Sequence, residues 1–79
     1  MAKNVRLYVI PNCDKCRAAQ EYLDSKGIPY AVLDVDADAE LMEELLVQHG
    51  TMGTPTFVID DVVIPGLDQA KIEAALASK

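Results

Sequence analysis

The stretch Val5-Arg6-Leu7-Tyr8-Val9-Ile10-Pro11-Asn12-Cys13-Asp14-Lys15-Cys16 changes at Pro11-Asn12 from strand-forming to helix-starting sequence. Its first half is rich in β-branched and aromatic residues and becomes nearly all apolar towards Ile10, as expected of a central strand covered on both faces. Pro11-Asn12 stops that strand. Beyond the cysteines, Ala18, Ala19, Tyr22 and Leu23 recur at helical spacing. Lys26-Gly27 is a C-terminal signal, so the pattern predicts a helix over about residues 14–26. Both cysteines therefore stand at the start of a helix that follows a buried strand.

Ile28-Pro29 leads into a second strand, Tyr30-Ala31-Val32-Leu33-Asp34-Val35. Asp36 and Asp38 then offer N-caps for a helix carrying Leu41, Met42, Leu45 and Leu46 on one face, and Gly50 ends it. Strand, helix and strand within about 30 residues form a βαβ unit, which favours two parallel strands and a right-handed crossover. Thr56-Phe57-Val58-Ile59 and Val62-Val63-Ile64 flank Asp60-Asp61, a two-residue turn for an antiparallel hairpin. After Gly66, Ile72, Ala75 and Leu76 mark a last helix running to the C-terminus. The predicted order is β-α-β-α-β-β-α, an α/β fold. Tyr8, Tyr22 and Tyr30 fall at core-like positions and are assigned to packing.

The chain has 79 residues, about half of them apolar, which suits one domain over residues 1–79 with a single core. Its two cysteines lie three positions apart, where a bridge closes too small a loop to stabilise the fold much. The formal net charge of −6 argues against nucleic acid or an anionic membrane surface as partners. The run from Asp34 to Glu44 reads as a solvated helix face with its caps. Met1-Ala2-Lys3-Asn4 shows no secretory pattern, and no apolar stretch approaches the roughly 20 residues of a membrane span. The expectation is a monomer in the cytoplasm, where paired cysteines are redox groups or metal ligands rather than structural disulfides.

At a helix start, residues i and i+3 share a face, so Cys13 and Cys16 can close a disulfide without moving the backbone. Cys13, as N-cap or first residue, lies where unpaired N–H groups and the helix dipole favour a thiolate. Lys15 and Arg17 add positive charge and Asp14 opposes it, so the Cys13 pKa should fall below that of a free thiol. Cys16, one turn inside, should be less exposed and have the higher pKa. These environments suit Cys13 as nucleophile and Cys16 as the thiol that resolves a mixed disulfide. The site would sit at the carboxyl edge of a parallel strand. A structural zinc site would need four ligands, and the chain offers no second pair. His49, the only histidine, could complete one only with carboxylates or a second subunit. Beside Gly50, it reads as a surface helix residue. No bound metal is expected.

Thr54-Pro55 directly precedes the third strand. A proline is tolerated there as a first residue or in a cis turn, and sequence physics alone does not choose between the isomers. Met52 reads either as an apolar wall for a substrate or as a space-filling loop residue.

With the Cys-x-x-Cys on its first helix, this topology and this proline, the chain resembles the thioredoxin superfamily. Its length is similar to that of the glutaredoxin branch. The resemblance implies a four-stranded mixed sheet in the order 2-1-3-4 and a cis Pro55 facing Cys13. It also implies that the Thr54 backbone is free to pair with an extended substrate strand, a contact carrying little sequence preference. The implied activity is thiol-disulfide oxidoreduction on protein or small-molecule disulfides in cell redox homeostasis, without a tightly bound cofactor. A second reading makes the chain an iron-sulfur or metal carrier, with Cys13 of two subunits bridging a cluster.

Glutaredoxins commonly read Cys-Pro-Tyr-Cys, with a basic residue shortly before the first cysteine and Thr-Val-Pro and Gly-Gly segments that hold glutathione. The corresponding stretches here are Cys13-Asp14-Lys15-Cys16, Ile10-Pro11-Asn12, Gly53-Thr54-Pro55 and Pro65-Gly66. Lys15 is a cation available to replace the missing one. Asp68 matches the acidic position that meets the glutathione amine, and it reads equally well as the cap of the last helix. Gly53-Thr54-Pro55-Thr56-Phe57 is closer to the thioredoxin and disulfide-oxidase branches. The reductant implied is therefore either a thioredoxin reductase-like protein or glutathione.

Overall fold

The computed structural model describes residues 4–51 and 53–77, so Met52 and the expectations attached to it lie outside the described residues. Strand β1 (Val5–Val9) is followed by α1 (Asp14–Ser25), β2 (Ala31–Asp34) and α2 (Ala39–Val47). The hairpin β3 (Thr56–Ile59) and β4 (Val62–Pro65) and the helix α3 (Gln69–Ala77) complete the chain. The sheet order is β2-β1-β3-β4, with β1 parallel to β2 and antiparallel to β3, and β3 antiparallel to β4. This is the mixed 2-1-3-4 sheet of the thioredoxin fold.

The apolar run of β1 is explained by its place between β2 and β3. Leu7 and Tyr8 are adjacent, point to opposite faces and are both fully buried. Leu7, Val9, Phe57 and Ile59 meet Cys16, Ala19 and Leu23 of α1 and Ile72 and Ala75 of α3. On the other face Tyr8 and Val58 meet Val35 and Leu45, with Leu41 and Met42 of α2 packed against them.

Element ends follow local chemistry. Gly27 and Gly50 take φ of 66° and 68°, the left-handed turn a helix C-terminus requires. There Ile28 N–H reaches the Leu23 carbonyl at 3.1 Å and Thr51 N–H the Leu45 carbonyl at 3.3 Å. Of the two offered caps for α2, Asp38 is used, its Oδ1 accepting the Glu40 N–H at 2.9 Å. Asp36 instead donates its backbone N–H to Asp34. Tyr30 lies just before β2, and its hydroxyl donates to Asp24 of α1 at 3.0 Å. In the hairpin, Asp60 takes a φ of 53°. Its N–H reaches the Asn4 carbonyl and its Oδ1 accepts the Asn4 N–H, which prolongs the β1–β3 pairing.

His49, expected on a helix surface, is half-buried just beyond α2. Its ring lies 5.6 Å from that of Tyr8, and its Nε2 is 3.4 Å from the Tyr8 hydroxyl. The same hydroxyl donates to Glu44, which pairs with Arg6 at 3.7 Å. No described helix is long and apolar enough to cross a membrane.

Candidate active site

The site forms where β1 ends and α1 begins. Asn12 turns the chain with a φ of 58°, a conformation Asn tolerates better than most residues. The turn delivers Cys13 to the N-cap of α1 in extended backbone, with φ −116° and ψ 111°. Its sulfur accepts the Cys16 N–H at 3.1 Å and its carbonyl accepts the Arg17 N–H at 3.0 Å. The thiol thus holds the capping position usually given to Ser, Thr or Asp. Cys13 is half-buried, Cys16 is only 2% exposed, and both are free thiols.

Their acidities shift in opposite directions. Cys13 is held below the ordinary thiol value, first by a hydrogen bond with the Cys16 thiol and then by the backbone N–H groups of Cys16 and Lys15, while burial and Asp14 oppose this. The leading causes are hydrogen bonds rather than the side-chain charges of Lys15 and Arg17. Burial pushes Cys16 up, and its hydrogen bond to Cys13 adds to this. The Ile10 backbone and the Thr54 side chain pull Cys16 the other way, which places Thr54 against the inner thiol.

The Thr54-Pro55 bond is cis, as the resemblance implied. Pro55 is buried, and its carbonyl accepts the Gly66 N–H at 2.8 Å, which ties the loop to the end of β4. Thr56 Oγ1 donates to the Gly53 carbonyl at 2.6 Å. Among the described residues, no backbone hydrogen bond engages Thr54.

Two cavities open beside the thiols. One, about 430 Å³, is lined by Lys15, Ala18, Thr54, Pro55, Gly66 and Leu67. The other, about 340 Å³, has both cysteines in its wall together with Ile10, Asn12, Arg17 and Asp34. Lys15, Thr54 and Pro55 are thus brought together in one lining. Asp68 is not part of that lining. Its Oδ1 accepts the Lys71 N–H at 3.2 Å and its carbonyl the Ile72 N–H at 2.9 Å, so it caps α3. No group of three or more His, Cys, Asp or Glu placed to hold a metal ion occurs among the described residues.

Sequence reasoning missed the second cavity. Part of it was legible, since Arg17 and Gln20 follow Cys13 by four and seven positions and therefore lie along one side of the helix. Its other wall depends on β2 register, which sets Asp34 beside Val9 and Val32 beside Leu7.

Comparison with known proteins agrees with this geometry. The glutaredoxin family profile matches residues 5–64, which include both cysteines and Thr54-Pro55. A glutaredoxin-like 8.6 kDa protein in the rubredoxin operon of Clostridium pasteurianum is 32% identical over 69 residues, 87% of this chain and 92% of the relative. Glutaredoxin 3 of Escherichia coli K12 is 34% identical over 65 residues, 82% of this chain and 78% of the relative. Among solved structures, the thioredoxin-like protein BC3987 superposes with a TM-score of 0.87 at 32% identity, over 92% of this chain and 100% of the other. The chain belongs to the glutaredoxin family of the thioredoxin superfamily and is a glutaredoxin-like thiol-disulfide oxidoreductase with the pair Cys13–Cys16.

Proposed function

We propose that this chain, acting as one domain in the cytoplasm, reduces disulfides of protein substrates, with Cys13 as nucleophile and Cys16 as resolving thiol. The observation that carries this assignment is the asymmetry of the pair. The outer sulfur at the helix N-cap is held towards the thiolate by the Cys16 thiol and N–H, while the inner thiol is buried and held protonated. Cys13 thiolate attacks one sulfur of the substrate, forming a mixed disulfide and releasing the other half as a thiolate. Cys16 then gives up its proton and attacks Cys13 sulfur, which frees the second half and leaves a Cys13–Cys16 disulfide. Two electrons pass to the substrate.

The free backbone of Thr54 supports main-chain pairing with an extended substrate segment beside Pro55, and Lys15 borders the same cavity. Electrons return from a thioredoxin reductase-like protein or from glutathione, and turnover measured with each reductant decides between them. Asp68, engaged as a helix cap, offers a glutathione amine only what its remaining acceptor capacity allows.

The test is a pair of serine variants. Cys13→Ser abolishes reduction of a protein disulfide, whereas Cys16→Ser accumulates a mixed disulfide visible by non-reducing electrophoresis and mass spectrometry. Turnover that survives Cys13→Ser overturns the assignment.

A further inference from the structure

The α1-bearing face of the sheet is left uncovered over β2. The apolar layer beneath α1 and α3 is drawn from β1, β3 and β4, with no residue of β2 in it. Val32, paired beside Leu7 on that face, is consequently 47% exposed, and Ile10 is 39% exposed. Together with Val9 they floor the 340 Å³ cavity, whose inner end is formed by the two thiols.

Its rim is polar and carries an unengaged cation. The Arg17 side chain has no hydrogen-bond or ion-pair partner among the described residues. Asn12 and Gln20 add neutral donors beside it. Asp34 is the carboxylate of the lining, and its Oδ1 already accepts the N–H groups of Asp36 and Ala37 at 2.9 and 3.1 Å. An apolar floor at the thiols and a free guanidinium at the rim match an aliphatic stem ending in a carboxylate.

We propose that this cavity is a specificity subsite selecting an acidic residue next to the reacting cysteine of a protein substrate. The stem of that residue lies on Ile10 and Val32 and its carboxylate meets Arg17. The proposal rests on the reading of Cys13 as nucleophile. Lys15 borders the Thr54–Pro55 cavity and Arg17 the one walled by both thiols, so a segment paired with Thr54 that continues past Cys13 brings its next side chain to the Arg17 side. Main-chain pairing discriminates little between sequences, so selectivity has to come from such a side-chain cavity. No Lys or Arg occurs between Lys26 and Lys71, so an acidic segment meets repulsion on the α2 face and, among the described residues, finds cations beside the thiols only in Lys15 and Arg17.

The experiment compares disulfide-linked tripeptides with capped ends that differ only in the residue beside cysteine, which is Glu, Gln or Lys. The wild-type protein should show kcat/KM in the order Glu, Gln, Lys, with about a tenfold span from first to last, the size of one charge-assisted contact. Arg17→Glu should reverse the order. Lys71→Glu, the same change in charge placed on α3, should keep it. Ratios within one variant cancel any change in Cys13 reactivity or in fold. An order that survives Arg17→Glu, that Lys71→Glu reverses equally, or that is absent from the wild type overturns the subsite. None of these outcomes touches the nucleophile assignment, which falls only if Cys13→Ser stays active.

Discussion

On one face of the sheet, α1 and α3 press aliphatic and aromatic side chains against Leu7, Val9, Phe57 and Ile59. On the other, α2 contributes Leu45 to a small apolar group, and a polar set completes the contact: the Tyr8 hydroxyl with Glu44 and His49, and Arg6 beside Glu44. The first face is non-directional and dense, and Cys16 is part of it. The second is directional and partly polar. Its polar set holds the end of α2, where Gly50 begins the loop that carries Thr54 and Pro55. The dithiol therefore stands on a close-packed base, while α2 is held to the sheet in part by directional hydrogen bonds to Tyr8.

Core truncation should separate the two faces most strongly. Phe57→Ala is expected to cost about 3–5 kcal/mol and Leu45→Ala about 2–3 kcal/mol. The former is a large share of the roughly 5–15 kcal/mol available to a small domain. Urea midpoints of the reduced protein measure both, and equal losses would erase the distinction between a dense face and a sparse one.

A smaller effect should come from Tyr8→Phe, which deletes the hydroxyl and keeps the ring. Removing the Tyr8 donor, which leaves Glu44 only its ion pair with Arg6, should cost about 1–2 kcal/mol at neutral pH. The pH profile sharpens this. Burial first, then the hydrogen bond and charge of Glu44, push Tyr8 from 10.0 up to about 12, against the lowering influence of Arg6. The native state thus holds this proton more tightly than the unfolded chain. Its contribution is complete below pH 10 and is lost as pH rises towards 12. Denaturation between those limits should show the wild type losing stability more steeply than Tyr8→Phe. Parallel slopes would mean that the polar set is not what distinguishes the α2 face.

The smallest change concerns the start of α2. Asp38→Ala removes the acceptor of the Glu40 N–H and should cost about 1 kcal/mol, measured as a drop in thermal midpoint. It should leave the alkylation rate of Cys13 unchanged, because α1 is capped by its own cysteine. A slowed Cys13 would show that the two faces are coupled more tightly than their packing suggests.

Much of this was legible in the chain. Apolar, β-branched runs and helical spacing located every strand and helix, and the strand-stop at Pro11-Asn12 put Cys13 at a helix start. The resemblance supplied the sheet order and the cis Pro55. Other features were not legible. Asp36 and Asp38 are equivalent as letters, and only the path from β2 into α2 selects Asp38. Asp68 answers both to a cap and to a ligand group, and the structure shows it capping α3. His49 follows the last turn of a helix in sequence but folds back onto Tyr8 of the central strand.

By itself, then, the sequence determined the order of elements, the capping cysteine and the opposed characters of Cys13 and Cys16. The first two depend on contacts within one or two turns of chain, and the third on the helical spacing that turns Cys16 into the core. Only the tertiary structure decided what surrounds the thiols: Thr54 against Cys16, Lys15 with Pro55, and Arg17 facing Val32 and Asp34 across an uncovered stretch of sheet. Strand register and helix placement are long-range choices made by burying apolar area. The direction of each side chain at the site follows from those choices.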